Sequence, residues 1–239
     1  GAMTNGWDES AAAWITDQGE DGDFGRKFVL DPPMLERVTD RGFTRALDVG
    51  CGEGRFCRML RARGIAATGI DPTEELLEMA RRRDPDGDYR LGRAEQLDFA
   101  DASFDLVVSY LTLIDIPDIA AAIPEMARVL RPGGTLLVAN LTSFNTAGQP
   151  LGWHQGANGE VQFAIDHYMT ERADWVQWRG IRIHNWHRPL SHYMSLFLGE
   201  RLELRAFLEP MPTADAPAQA IERHRRVPYF VLMEWQKPG

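Results

Sequence analysis

The chain has 239 residues, with 26 Lys and Arg against 35 Asp and Glu, a formal net charge of −9. That length buries one sizeable core, so the chain reads as one α/β domain with a substantial insertion, and the acid excess excludes a protein that grips phosphate backbones by general electrostatics. Cys51 and Cys57, the two cysteines, supply neither a metal quartet nor a disulfide framework, so no metal is expected and the expected compartment is reducing and cytoplasmic. No run of eighteen apolar residues and no basic-then-apolar leader is present, so neither a membrane span nor a secretory signal is expected, and Gly1-Ala2 ahead of Met3 reads as a cleavage scar.

Residues 7–40 carry two helical patterns, Trp7 to Ile15 and Phe24 to Val38, joined by the acidic, glycine-rich stretch Asp17 to Asp23. A polar link between an aromatic-bearing helix and the body is what a lid needs, so residues 1–43 read as a helical lid segment ahead of a domain over 44–239, with Trp14 closing over a bound cofactor. Asp31-Pro-Pro-Met34 reads as a kink or helix start.

Ala46 to Val49 is a short buried strand, and Gly50-Cys-Gly52-Glu-Gly54 after it lets the backbone turn tightly against a ligand before a helix carrying Phe56, Met59 and Leu60 on one face. The loop is G-x-G-x-G, not the dinucleotide G-x-G-x-x-G, and Asp48 stands two residues ahead of its first glycine. An acid there suits a ligand bearing an ammonium and a sulfonium better than one bearing a pyrophosphate, so S-adenosylmethionine is read ahead of NAD.

A second buried strand, Ala66 to Ile70, ends at Asp71-Pro72, 21 residues after Gly50, the separation that brings an acid onto a ribose diol. A helix from Thr73 to Arg83 and a third strand, Tyr89 to Leu91, lead to a loop where Ala94 and Glu95 would reach an adenine. The fourth strand, Ser103 to Ser109, is apolar in its second half like a central parallel strand. Ser109 and Tyr110 at its end are expected between cofactor and acceptor. A helix from about Asp118 to Leu130 and an Arg131-Pro-Gly-Gly turn lead to a fifth strand, Thr135 to Asn140.

Assembled in order, Leu-Asp-Val-Gly-Cys-Gly-Glu-Gly (47–54), Gly-Ile-Asp-Pro (69–72), Ala-Glu-Gln-Leu (94–97), Ser-Phe-Asp-Leu-Val-Val-Ser (103–109) and Arg-Val-Leu-Arg-Pro-Gly-Gly (128–134) resemble the class I S-adenosylmethionine-dependent methyltransferases. The likeness is to the broad small-molecule group that includes ubiquinone- and menaquinone-biosynthesis methyltransferases. It covers residues 44–140 closely. The resemblance implies a Rossmann-like seven-stranded, mostly parallel sheet with helices on both faces and its last strand antiparallel, here Pro228 to Trp235. It also implies that Asp48, Gly50, Cys51 and Gly52 hold the methionine end, Asp71 and Pro72 the ribose, and Ala94 and Glu95 the adenine, with S-adenosylhomocysteine as product. It does not fix the acceptor, because fold-level likeness stops at the cofactor.

The insertion from Leu141 to about Pro189 holds four of the seven tryptophans and four of the six histidines. Strand-like stretches at Val161 to Tyr168 and Trp175 to Asn185, with a turn at Arg179-Gly180, suggest a β-rich cover over the site; packing of a small satellite core or a dimer interface is the other reading. The expected substrate pocket comprises Tyr110, Trp153, His154, Trp175, Trp178, Trp186 and His187. His154 and His187, each beside a tryptophan, are the candidate general bases for a hydroxyl acceptor. A helix at 192–198, a sixth strand at 202–208 and a short basic helix ending at Arg226 complete the chain. The expected partner is a small-molecule substrate, with no nucleic acid and no membrane, the protein being a monomer or homodimer. A non-catalytic or non-methylating protein of the same fold, an NAD-dependent oxidoreductase and an RNA methyltransferase are the alternatives.

Overall fold

The structure is a computed structural model that describes residues 5–19 and 22–239. Gly1 and Ala2, on which the cleavage-scar expectation falls, and the Glu20-Asp21 part of the acidic link lie outside the described residues. Its centre is a sheet built of β1 (Arg45–Val49), β2 (Ala66–Asp71), β3 (Asp88–Leu91), β4 (Phe104–Tyr110), β5 (Leu130–Leu141), β10 (Glu203–Leu208) and β11 (Phe230–Gln236). The order across it is β10-β11-β5-β4-β1-β2-β3, with β11 antiparallel to both neighbours and the five strands from β1 to β5 parallel. The strand order reverses between β1 and β4, which is where such a sheet opens a ligand crevice.

Alternation along the strands serves two cores, one on each face. Leu136 and Val138 of β5 face a core shared with α5 (Ile119–Arg128) and α7 (Leu190–Gly199); Leu137 and Ala139 face the core of α2 (Asp31–Glu36), α3 (Arg55–Arg61) and α4 (Glu74–Arg83). Of the remaining helices, α1 (Trp7–Gln18) packs on α4. The insertion contains the single turn α6 (Ser143–Thr146) and two separate hairpins, β6–β7 (Gly152–Gln155, Val161–Ala164) and β8–β9 (Arg172–Trp178, Ile181–His187). The last helix, α8 (Ala218–Arg226), precedes β11.

Two local expectations are adjusted and one element is added. The helical pattern from Phe24 to Val38 splits into a wide π turn, Arg26–Leu30, followed by α2. Pro32 and Pro33 offer no N–H, and placing them in the first turn of a new helix is how the chain absorbs that loss. The fifth strand starts at Leu130, pairs with Phe104, and bulges across Arg131 to Gly134 before regaining register at Thr135. Residues 152–155, to which the sequence assigns no element, form the first strand of a hairpin.

Candidate functional site

The parallel strands end at one edge of the sheet, and antiparallel β11 begins there, with Phe230 paired to Leu141 at the end of β5. A cavity of about 1130 Å³ opens over that edge. Its roof is a single cap: Ser10 of α1 accepts from the Arg182 N–H at 3.0 Å and donates to the Arg182 carbonyl at 3.1 Å, and the His184 N–H donates to the Asn5 carbonyl at 3.0 Å. The N-terminal helix and the β8–β9 hairpin thus cover the cavity together.

Under the cap, Gly50, Gly52 and Gly54 take positive φ of 78°, 54° and 85°, the left-handed region that favours glycine. A side chain at Gly50 would collide with Thr112, whereas the nearest atom to a Cβ on Gly52 is the Trp14 indole nitrogen, 4.0 Å away. Gly52 therefore faces open space beneath Trp14. Asp48 is 2 % exposed; Oδ2 accepts from the Cys57 thiol at 3.6 Å and Oδ1 has no partner. Burial pushes its carboxyl up to about 7. Asp71 accepts from the N–H groups of Gly52 and Thr73, each at 2.9 Å; burial raises it to about 6 against those two bonds.

Cys51, Pro72, Ala94, Glu95, Trp14 and Tyr110 all lie on the cavity wall, as do Trp175 and Trp178 of the hairpin. Tyr110 is not free to act as a base: its hydroxyl donates at 2.7 Å to Asp31, which also receives both terminal nitrogens of Arg55, and burial holds its phenol well above the usual range. Arg26, missed in the sequence, sits on the wall paired to Asp23 at 3.0 Å, with its guanidinium 4.9 Å from the Trp14 ring and 5.6 Å from the Tyr110 ring.

Five expected site residues are not brought to this wall. Ser109 is fully buried within β4. His187 is also fully buried, with Nδ1 2.7 Å from the Thr146 hydroxyl and Nε2 2.7 Å from the Tyr168 carbonyl, so both ring nitrogens are committed. The carbonyl can only accept, so Nε2 carries the proton and no free lone pair remains for a base. His154 and Trp153 lie on β6, where the His154 ring bonds its neighbour Gly152 and Trp153 packs on Phe163 under Arg223 and Arg226. Trp186 packs beside Arg188. Adjacency to tryptophan in sequence misled, because neighbouring residues on a strand point to opposite faces.

Among the described residues, the histidine on the wall is His224, whose Nδ1 lies 3.0 Å from the Ala220 carbonyl and whose Nε2 is buried without a partner among Phe24, Tyr229 and Phe230. The turn after β4 is held by Arg188, fully buried, which donates to the carbonyls of Leu113, Ile116 and Pro117 and to the Tyr193 hydroxyl. That strut fixes Asp115, another wall residue missed in the sequence although an acid in the apolar run Leu113-Ile-Asp-Ile was the signal.

The residues over β1–β3 fit a nucleoside-bearing cation: a buried carboxyl at Asp48 with one oxygen unpartnered, an open cradle over Gly52 and an acid at the end of β2. No helix among the described residues is long and apolar enough to cross a membrane.

Comparison with known proteins agrees with this geometry. A family model described as a methyltransferase domain matches residues 47–138. The chain is 38 % identical over 126 residues to a malonyl-[acyl-carrier protein] O-methyltransferase of Serratia marcescens, covering 51 % of this chain and 49 % of that one. It is 36 % identical over 122 residues to an uncharacterized methyltransferase of Mycobacterium bovis, covering 51 % and 48 %. The chain thus spans about half the length of the curated relatives it matches. The crystal structure of an S-adenosylmethionine-dependent methyltransferase from Mesorhizobium loti superposes with a TM-score of 0.77 at 26 % identity, covering 92 % of this chain and all of the other. Strand order, glycine loop, flanking acids and these likenesses agree: the chain carries a methyltransferase domain over residues 47–138 and has the fold of class I S-adenosylmethionine-dependent methyltransferases.

Proposed function

We propose that this protein transfers a methyl group from S-adenosylmethionine to a small-molecule acceptor held beneath the α1 and β8–β9 cap. The carrying observation is the pairing of a buried carboxyl at Asp48, its Oδ1 without a partner, with the open Gly52 cradle at the edge where the sheet order reverses. When bound, the cofactor supplies an electrophilic methyl on a sulfonium. Asp48 and the Gly50–Gly54 turn hold the methionine end, with Cys51 beside them; Arg26 faces the carboxylate of that end; Asp71 and Pro72 hold the ribose; Ala94 and Glu95 border the adenine. Trp14 lies over Gly52 with the Arg26 guanidinium against its ring, and the two exclude water.

The rest of the cavity lies over β4, β5 and the start of β11, lined by Asn145, Tyr229 and the β8–β9 strands. This half takes the acceptor, and alignment of acceptor and methyl can supply most of the rate. The enclosed cap favours a metabolite over a polynucleotide, as does the net charge of −9. Residues 1–43 serve as the lid of a domain over 44–239. The two buried thiols, Cys51 and Cys57, are free and flank Gly69 on neighbouring sides, which supports a reducing, cytoplasmic compartment. We take the working unit to be a monomer or homodimer.

Isothermal titration with S-adenosylhomocysteine and, separately, NAD tests the reading. Micromolar or tighter binding of the former alone is expected; tight NAD binding without S-adenosylhomocysteine binding would replace this function by an oxidoreductase.

A further inference from the structure

One wall of the cavity carries an acid, Asp115, that forms no ion pair among the described residues. After β4 the chain makes a single 3₁₀ turn, Leu113–Asp115, that packs against β9. Asp115 borders the cavity from this turn, and its Oδ1 is sealed from solvent without a partner. Three groups face it: the Trp7 side chain from α1, which hydrogen-bonds it; Asp71 at the end of β2, which repels it; and Arg26, which attracts it but is already paired to Asp23 at 3.0 Å. Across the cavity wall on β9, Asn185 also has its Oδ1 buried without a partner. The other acids of this wall are satisfied, Asp174 by Arg172 at 3.0 Å and Asp17 by Arg179 at 2.8 Å.

Buried acceptors without donors are expensive, and a carboxylate in this state calls for a positively charged donor. A hydroxyl would satisfy one oxygen but would not stabilise the ionised form. An ammonium brings several N–H groups and the missing charge at once.

We propose that Asp115 and Asn185 receive an amine of the acceptor, so that the methyl group goes to nitrogen. The proposal rests on the methyl-transfer reading above and names the substrate class for it. An ammonium has no lone pair, so one proton must pass from nitrogen to the Asp115 carboxylate first. The nitrogen then forms its bond to the methyl carbon as the carbon–sulfur bond breaks, with that electron pair staying on sulfur; the product leaves as a methylated ammonium. In the empty site burial pushes Asp115 up to about 8, so it holds its proton at neutral pH; an arriving ammonium favours the ionised form, that proton leaves to solvent, and the carboxylate formed can then take one from the nitrogen.

Benzylamine and benzyl alcohol, matched in shape and differing in charge, are suitable probes for calorimetry on the protein saturated with S-adenosylhomocysteine. Benzylamine should bind about tenfold tighter or more than benzyl alcohol, a difference of ~1.4 kcal/mol. Asp115→Asn should abolish that preference while S-adenosylhomocysteine affinity stays within about twofold. Asn185→Asp, which adds a second carboxylate, should widen it. No benzylamine binding, equal binding of the two probes, or an unchanged preference in Asp115→Asn would overturn the proposal, as would a collapse of S-adenosylhomocysteine affinity in that variant, which would assign Asp115 to the cofactor. Failure of the wild type to bind S-adenosylhomocysteine would instead sink the methyl-transfer reading itself, before either probe is added.

Discussion

Two carboxyls, Asp48 and Asp71, sit in the cavity in states the fold makes unfavourable when charged. Asp71 is held by two backbone N–H groups, and its remaining lone pairs are available to a diol. Asp71→Asn keeps the shape and one acceptor but removes the charge-assisted bonds. It should weaken S-adenosylhomocysteine binding by about 10- to 100-fold, corresponding to ~1.5–3 kcal/mol, with circular dichroism unchanged. Asp48 predicts a pH dependence. Its folded carboxyl is raised to about 7, so the folded state holds a proton that the unfolded chain releases near pH 4. Stability from this group is therefore full below about pH 4 and falls as pH rises toward 7, by roughly 4 kcal/mol at most. Asp71 and Asp115, raised to about 6 and about 8, slope the same way. Thermal melts of the unliganded protein should show Tm declining from about pH 5 to pH 8.5, and Asp48→Asn should flatten the decline; a flat wild-type profile would contradict it. Asp48 and Asp71 were legible in the sequence because a fixed spacing from a glycine loop encodes position; Asp115, on a turn after β4, has no such marker. The candidate bases were not, since a histidine's role depends on which ring nitrogen is free, and at His187 neither is.

At the scale of elements, the cap and the β4 turn each depend on a small number of bonds. Ser10 makes a reciprocal pair with the Arg182 backbone, joining α1 to β9. Ser10→Ala should remove ~1–2 kcal/mol of that docking and raise the S-adenosylhomocysteine dissociation rate about 5- to 30-fold in stopped-flow displacement, while α3 and the glycine loop are untouched. Arg188 is more demanding: its buried guanidinium satisfies three carbonyls of the turn that carries Asp115. Arg188→Met would leave those carbonyls and Glu171 without their donor, destabilising the chain by about 3–5 kcal/mol in urea titration. The sheet was readable because buried parallel strands are apolar runs bounded by turns, and the Arg179-Gly180 turn fixed the β8–β9 hairpin. By contrast β6, Gly152-Trp-His-Gln155, has no alternating pattern, and it forms because Val161–Ala164 pairs with it. The Arg188 strut was equally hidden, since its three carbonyl partners lie 71 to 75 residues away in the chain.

At the scale of the whole molecule, the cavity is built from both halves of the sheet and from a cap that belongs to neither. The glycine loop and Asp71 come from the β1–β3 side, Asn145 and Phe230 from the β5 and β11 side, and Trp14 and Trp178 from above. A ligand that fills the cofactor half therefore adds contacts between segments that α1 and the 3₁₀ turn already join to β9. Saturation at about 100 times Kd stabilises a folded protein by ~2.7 kcal/mol, which for a chain of this size corresponds to roughly 5–11 °C in Tm. Hydrogen exchange should distribute that gain unevenly. Amides of α1 and of β8–β9 should slow together with those of the Gly50–Gly54 turn, because the cap closes on the ligand as one unit, while β10 at the far edge of the sheet should exchange unchanged. Protection confined to the glycine turn, with α1 and the hairpin exchanging as before, would show that the cap lies beside the ligand without closing on it, and would remove the argument that the acceptor chamber is sealed during transfer.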